Sequence, residues 1–101
     1  MTVELLYFEG CPGFEQLLPR LRELAARAGA DIVLRPVETH DAAVRERFLG
    51  SPTVRVDGRD VEPGASTRTD YGLKCRLYRD AGRQTHLPPE PWLRKALALD
   101  A

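Results

Sequence analysis

Two cysteines, Cys11 and Cys75, carry the reactive chemistry of this 101-residue chain, and Cys11 stands in the more telling place. Pro12 follows it and Glu9-Gly10 precedes it, where an apolar run over residues 3–8 gives way to a segment of helical periodicity. A cysteine at that junction occupies a helix N-terminus, where unpaired N–H groups and the macrodipole favour an anion. The anion favoured is a thiolate, the form that attacks disulfides and binds soft metals. Pro12 suits the first helical position, because its φ is already helical and its missing N–H had no partner to lose. The same residues also admit a plainer reading, a half-buried cysteine that ends a loop.

Few other groups can take part. Glu9 lies close enough in sequence to accept a proton or to oppose ionisation by its charge. Glu4, in the first apolar run, is a weaker counterpart, read as a solvated strand-end carboxylate. His40 follows the second strand and His86 lies between loop residues; both read as solvated. There is no Cys-x-x-Cys and no histidine within a few residues of either cysteine, so a four-ligand zinc site is not expected. No metal or cofactor is expected.

The bulk composition narrows the class. Net charge is +0, hydrophobic residues make up 43% and charged residues 30%. That is the balance of a globular domain, with no electrostatic footprint for nucleic acid or an anionic membrane. Arginine outnumbers lysine 13 to 2 but is spread along the chain, which points to base composition rather than a phosphate site. Glu4 interrupts the early apolar run, so no signal core is expected, and no stretch approaches the ~20 apolar residues of a membrane span. Residues 1–101 are read as one domain of a cytoplasmic protein, where structural disulfides are uncommon. The oligomeric state is left open.

Several elements must position these residues. Residues 3–8 read as a buried strand. Residues 12–28 carry Phe14, Leu17, Leu18, Leu21, Leu24, Ala25 and Ala28 on one helical face, with Gly29 as the C-cap and Pro19 as an internal kink. A second strand follows over residues 31–37. A short helix capped by Thr39 or Asp41 then runs to Phe48. Gly50-Ser51-Pro52 stops it, and Thr53-Val54-Arg55-Val56 forms a third strand closed by the Asp57-Gly58 turn. Residues 59–72 read as a long loop, either mobile or functional. Residues 73–79 alternate and predict a fourth strand, with Leu73, Cys75 and Leu77 turned to the core. Pro88, Pro89 and Pro91 open a last helix that buries Trp92, Leu93, Ala96, Leu97 and Leu99. The order βαβ-α-ββ-α predicts an α/β fold of about four mixed strands with helices on both faces.

That order, with a cysteine at the first strand–helix junction, resembles the thioredoxin superfamily. Two spacings carry the resemblance. Pro19 stands eight residues after Cys11, where thioredoxins have a helix-kinking proline. Ser51-Pro52-Thr53 stands where they carry a cis-proline, at the start of the third core strand. The runs Gly10-Cys11-Pro12, Gly50-Ser51-Pro52-Thr53 and Gly72-Leu73-Lys74-Cys75-Arg76-Leu77-Tyr78 look most like small bacterial single-domain members. The resemblance implies a cis bond before Pro52. It also implies that Ser51, Pro52 and Thr53, with Pro12 and Phe14, form a substrate-binding surface. There the Ser51 backbone pairs with an extended substrate and aims its disulfide at Cys11.

One departure shapes the function expected. Phe14 stands where Cys-x-x-Cys proteins have their second cysteine. Three routes remain. Cys11 can act as a monothiol oxidoreductase on a disulfide-containing protein or a low-molecular-weight thiol. Cys75 can resolve it, which needs Cα atoms within roughly 7 Å; the resemblance places Cys75 near the beginning of the fourth strand, at the end of the sheet away from Cys11, as a buried, inert thiol. Or the chain is a non-catalytic module that binds a partner or a soft metal through Cys11, with Cys75 if close. The cysteine-glycine-phenylalanine-serine motif of cluster-binding monothiol glutaredoxins is absent.

Overall fold

A computed structural model describes residues 1–99. Strand β1 (Thr2–Tyr7) leads into helix α1 (Pro12–Ala28), and strand β2 (Asp31–Pro36) follows. Helix α2 (His40–Arg45), strand β3 (Thr53–Val56) and strand β4 (Arg59–Asp60) come next. A single 3-10 turn (Ala65–Thr67), the ribbon β5 (Tyr78–Asp80) and β6 (Arg83–Thr85), and helix α3 (Glu90–Ala96) complete the chain.

Four strands form one mixed sheet in the order β2-β1-β3-β4. β1 pairs parallel with β2, from Thr2 opposite Asp31 to Tyr7 opposite Pro36. It pairs antiparallel with β3, from Val3 opposite Val56 to Leu6 opposite Thr53. β3 turns back into β4 through Asp57-Gly58, both at positive φ, the backbone that a two-residue hairpin requires. Alternation along β1 sends side chains to opposite faces. Val3 and Leu5 join Leu17, Leu21 and Leu24 of α1 and Leu93 of α3 with Leu97 beyond it in the main core. Leu6 joins Val37, Ala43 and Phe48 on the other face. The sheet is thus covered by α1 and α3 on one side and by α2 on the other.

Local chemistry explains the helix ends. Gly29, at φ 69°, closes α1 with its N–H on the Ala25 and Ala26 carbonyls, a left-handed cap that glycine enters without steric cost. The helix runs on through Pro19. Thr39 caps α2 by accepting the Ala42 N–H at 3.0 Å, satisfying one of the free donors of the first turn. No described helix is long and apolar enough to cross a membrane.

The region after β3 departs from expectation. The fourth strand of the sheet is Arg59–Asp60, inside the segment read as loop. Residues 73–77 form no regular strand; only Tyr78–Asp80 does, and it pairs with Arg83–Thr85 in a separate ribbon. The expected facing is also inverted. Leu73 and Leu77 are 42% and 48% exposed and Cys75 is exposed, while Arg76 and Tyr78 are buried. The alternation was real but its sign was not, because Arg76 is drawn inward by acidic partners that lie far away in sequence.

Candidate active site

The thiol at Cys11 is built from the first turn of α1. Its backbone is extended, at φ −76° and ψ 116°, and Pro12 takes the first helical position. The Cys11 N–H donates to the Phe8 carbonyl at 3.4 Å and its carbonyl accepts from Glu15 N–H at 3.3 Å. The sulfur makes no cap to the helix. Instead Sγ donates to the Ser51 carbonyl at 3.6 Å. A carbonyl has no proton to give, so this contact is made by the thiol as a weak donor. Cys11 is 1% exposed, and both cysteines are free. The plainer sequence reading is a half-buried cysteine; the structure buries the thiol more fully than that.

The turn opposite Cys11 is held from several sides. The Ser51–Pro52 peptide bond is cis. Ser51 Oγ accepts from Phe8 N–H at 3.4 Å, tying the turn to the loop that carries Cys11. Thr53 Oγ1 donates to the Gly50 carbonyl at 2.6 Å. The Tyr78 hydroxyl donates to the Pro52 carbonyl at 2.5 Å. Pro52 packs on the first turn of α1 at Gly13, where an added Cβ would lie 3.0 Å from Pro52 Cδ and 3.3 Å from the His86 carbonyl. Gly13 is therefore the residue that lets the turn and the helix meet. Phe14, expected beside the thiol, stacks on Tyr7 with ring centroids 3.8 Å apart and planes 6° from parallel. Pro12 is exposed.

The backbone of Ser51 is already occupied. Its N–H donates to the Lys74 carbonyl at 2.8 Å, and its carbonyl accepts from the Arg76 N–H at 2.9 Å. These two bonds make a parallel bridge between Ser51 and Cys75. The pairing expected with an external substrate is thus made by the chain's own residues 74–76. Cys75 is therefore neither buried nor at the far end of the sheet; it lies beside Ser51, at the Cys11 end.

Arg76 locks this arrangement. Its side chain is fully buried. Its guanidinium donates to Asp60 through both terminal nitrogens at 2.7 and 2.9 Å, to Thr53 Oγ1 at 3.0 Å and to Glu62 at 3.3 Å. It also lies over the Tyr78 ring, 4.5 Å from its centroid, while its Nε has no partner. Burial pulls against the Arg76 charge, but the Asp60 carboxylate, Tyr78 and the Glu62 carboxylate together more than offset it and hold the guanidinium protonated. Burial pushes the Tyr78 hydroxyl well up, so it stays a donor. Gly50, at φ 124°, makes room: a Cβ there would lie 3.0 Å from Arg76 Cα, Arg76 Cβ and the Lys74 carbonyl. Gly13, Gly50, Arg76 and Tyr78 were missed in the sequence. The one available signal was the pair Asp60 and Glu62, two acids close together in a segment read as loop.

Two surface grooves are modest in size. One, of about 640 Å³, is lined by Arg47, Arg55, Arg59, Asp60, Glu62 and Arg68 among others and contains neither cysteine. Another, of about 430 Å³, lies over Phe8, Glu9, Val37, Glu38 and Leu73, against the loop that carries Cys11. No cluster of three or more metal-ligating side chains occurs among the described residues; His40 and His86 join none. Comparison with protein-family models, curated proteins and solved structures gave no match.

Proposed function

We propose that this chain is a thioredoxin-fold thiol–disulfide oxidoreductase of a reducing compartment, working through Cys11 on a disulfide-containing protein or a low-molecular-weight thiol. One observation carries the reading. The thiol at the N-terminus of α1 meets the Ser51–Pro52 turn, with Sγ 3.6 Å from the Ser51 carbonyl. The strand order β2-β1-β3-β4, with β1 parallel to β2 and antiparallel to β3, supports assignment to that fold. So does the cover of α1 and α3 on one face and α2 on the other. A thiol released from the Ser51 carbonyl would find the free N–H groups of the first turn of α1 ready to favour its anion.

A second reading has an observation of its own. Cys11 is buried and the Ser51 backbone groups are taken, as suits a non-catalytic module that binds a partner or a soft metal. A turnover assay separates the two. The protein is given bis(2-hydroxyethyl) disulfide as substrate and reduced glutathione as reductant. The oxidoreductase accelerates exchange above the uncatalysed rate, and Cys11→Ser lowers the acceleration. A folded wild-type protein that adds nothing to the blank is the module.

A further inference from the structure

We infer that Cys75 is the outward thiol of the same site and Cys11 its buried partner, so that the two work as a dithiol. The inference rests on the oxidoreductase reading and supplies the second sulfur that Phe14 displaces. The bridge residue of Ser51 is Cys75 itself, while Ser51 takes the Cys11 thiol on its carbonyl. That one oxygen accepts from Cys11 Sγ at 3.6 Å and from Arg76 N–H at 2.9 Å. The Cys11 sulfur therefore lies within about 6.5 Å of the nitrogen bonded to the Cys75 carbonyl carbon.

Register supports the facing. Bridge partners present their side chains to one side of a sheet. The Ser51 side chain points to the loop of Cys11, since its Oγ accepts from Phe8 N–H. Leu73, two residues before Cys75, lines the same groove as Phe8 and Glu9 of that loop. Arg76, alternating with Cys75, points the opposite way into its buried network. Anchors on either side, the Gly72 N–H on the Phe48 carbonyl and the Arg76 guanidinium on Asp60, confine the movement needed to bring the sulfurs to bonding distance to residues 73–75.

Exposure sets the order of events. Cys75 is exposed and Cys11 is 1% exposed, so an external disulfide RSSR meets Cys75 first. The Cys75 thiolate forms a bond to one sulfur of RSSR; the S–S bond breaks and RS⁻ leaves, taking up the proton that Cys75 released. Cys11 then gives up its proton and attacks the Cys75 sulfur. The Cys11–Cys75 bond forms, the Cys75–SR bond breaks, and a second RSH leaves. The protein loses two hydrogens and the external disulfide becomes two thiols. A reducing thiol returns the pair by the reverse steps.

The test exposes reduced native protein to oxidised glutathione, quenches with acid, and reads mass and peptide linkage. Wild type should lose two hydrogens, retain no glutathione, and yield a peptide linking Cys11 to Cys75. Cys11→Ser should hold one glutathione on Cys75, and Cys75→Ser should react at least about tenfold more slowly than wild type. Circular dichroism checks that both variants are folded, and the wild-type peptide map needs no variant. Wild type that stops at glutathione on Cys75 overturns the pair. If Cys75→Ser takes glutathione on Cys11 at the wild-type rate while Cys11→Ser stays unmodified, the pair falls and the monothiol reading stands. If neither thiol exchanges in the native protein, both readings fall together.

Discussion

Replacing Arg76 by methionine tests both the stability of the fold and the closure of the site. Methionine keeps an aliphatic stem beside Gly50 and Tyr78, so most packing survives and the change isolates the charge. What is lost is the donation to Asp60 through two nitrogens, to Thr53 and to Glu62. Asp60 and Glu62, whose side chains are only 13% and 16% exposed, are left without this cation. Breaking a buried ion pair from one side costs about 3–5 kcal/mol, because the remaining charge stays desolvated. In a domain of this size each kcal/mol moves the melting midpoint by about 4–8 °C, so Tm should fall by roughly 12–40 °C. Urea unfolding followed by Trp92 fluorescence measures the loss directly, since Trp92 packs edge-on against Tyr78 at 6.3 Å. A loss below about 1 kcal/mol with an unchanged m-value would refute the assignment of Arg76 as an anchor. The same variant, in a Cys75→Ser background, should alkylate at Cys11 at least about tenfold faster with iodoacetamide, because residues 74–76 no longer hold the Ser51 backbone closed. If stability drops and alkylation does not change, Arg76 stabilises the fold but does not guard the thiol.

Two further outcomes follow from the geometry. Gly13→Ala places a methyl group 3.0 Å from Pro52 Cδ and 3.3 Å from the His86 carbonyl; overpacking of this kind costs about 1–3 kcal/mol in urea unfolding, and a neutral result would mean that the Pro52 turn yields freely. The Arg20 hydrogen bond holds the Glu90 carboxyl down, at about 2 instead of its ordinary 4.5, and ties α1 to α3. A lowered pKa contributes stability that is whole above the ordinary value and is lost as pH falls toward about 2. The acid slope in that window should therefore be shallower in Glu90→Gln than in wild type, by a modest amount because the pair is exposed; identical slopes would discount the pair.

Much of the scaffold was legible from local pattern alone. The 3.6-residue spacing of Leu17, Leu21 and Leu24 set the buried face of α1, Gly29 its end and Thr39 the start of α2, because periodicity, capping and turn chemistry act over a few residues. Asp57-Gly58 announced its hairpin for the same reason. The order of the first three strands and the helices between them followed, whereas the meeting of Cys11 and the Ser51–Pro52 turn was implied only by the resemblance to thioredoxins and is seen in the contact of Sγ with the Ser51 carbonyl.

Tertiary structure alone decided how that end is closed. Alternation over residues 73–79 has period two whichever face is buried, so the sequence could not say that Arg76 goes in and Cys75 stays out. That choice belongs to Asp60, Glu62 and Thr53, which are 14 to 23 residues away and whose hydrogen bonds outweigh the apolar preference of Leu73 and Leu77. The occupation of Ser51 by Lys74 and Arg76 depends likewise on a close approach that Gly50 permits. Residue types and local spacing determined which chain segments form and that a thiol begins α1. Long-range charge pairing and close packing determined that this thiol is buried on the Ser51 carbonyl and that the exposed cysteine is the one bridged to Ser51.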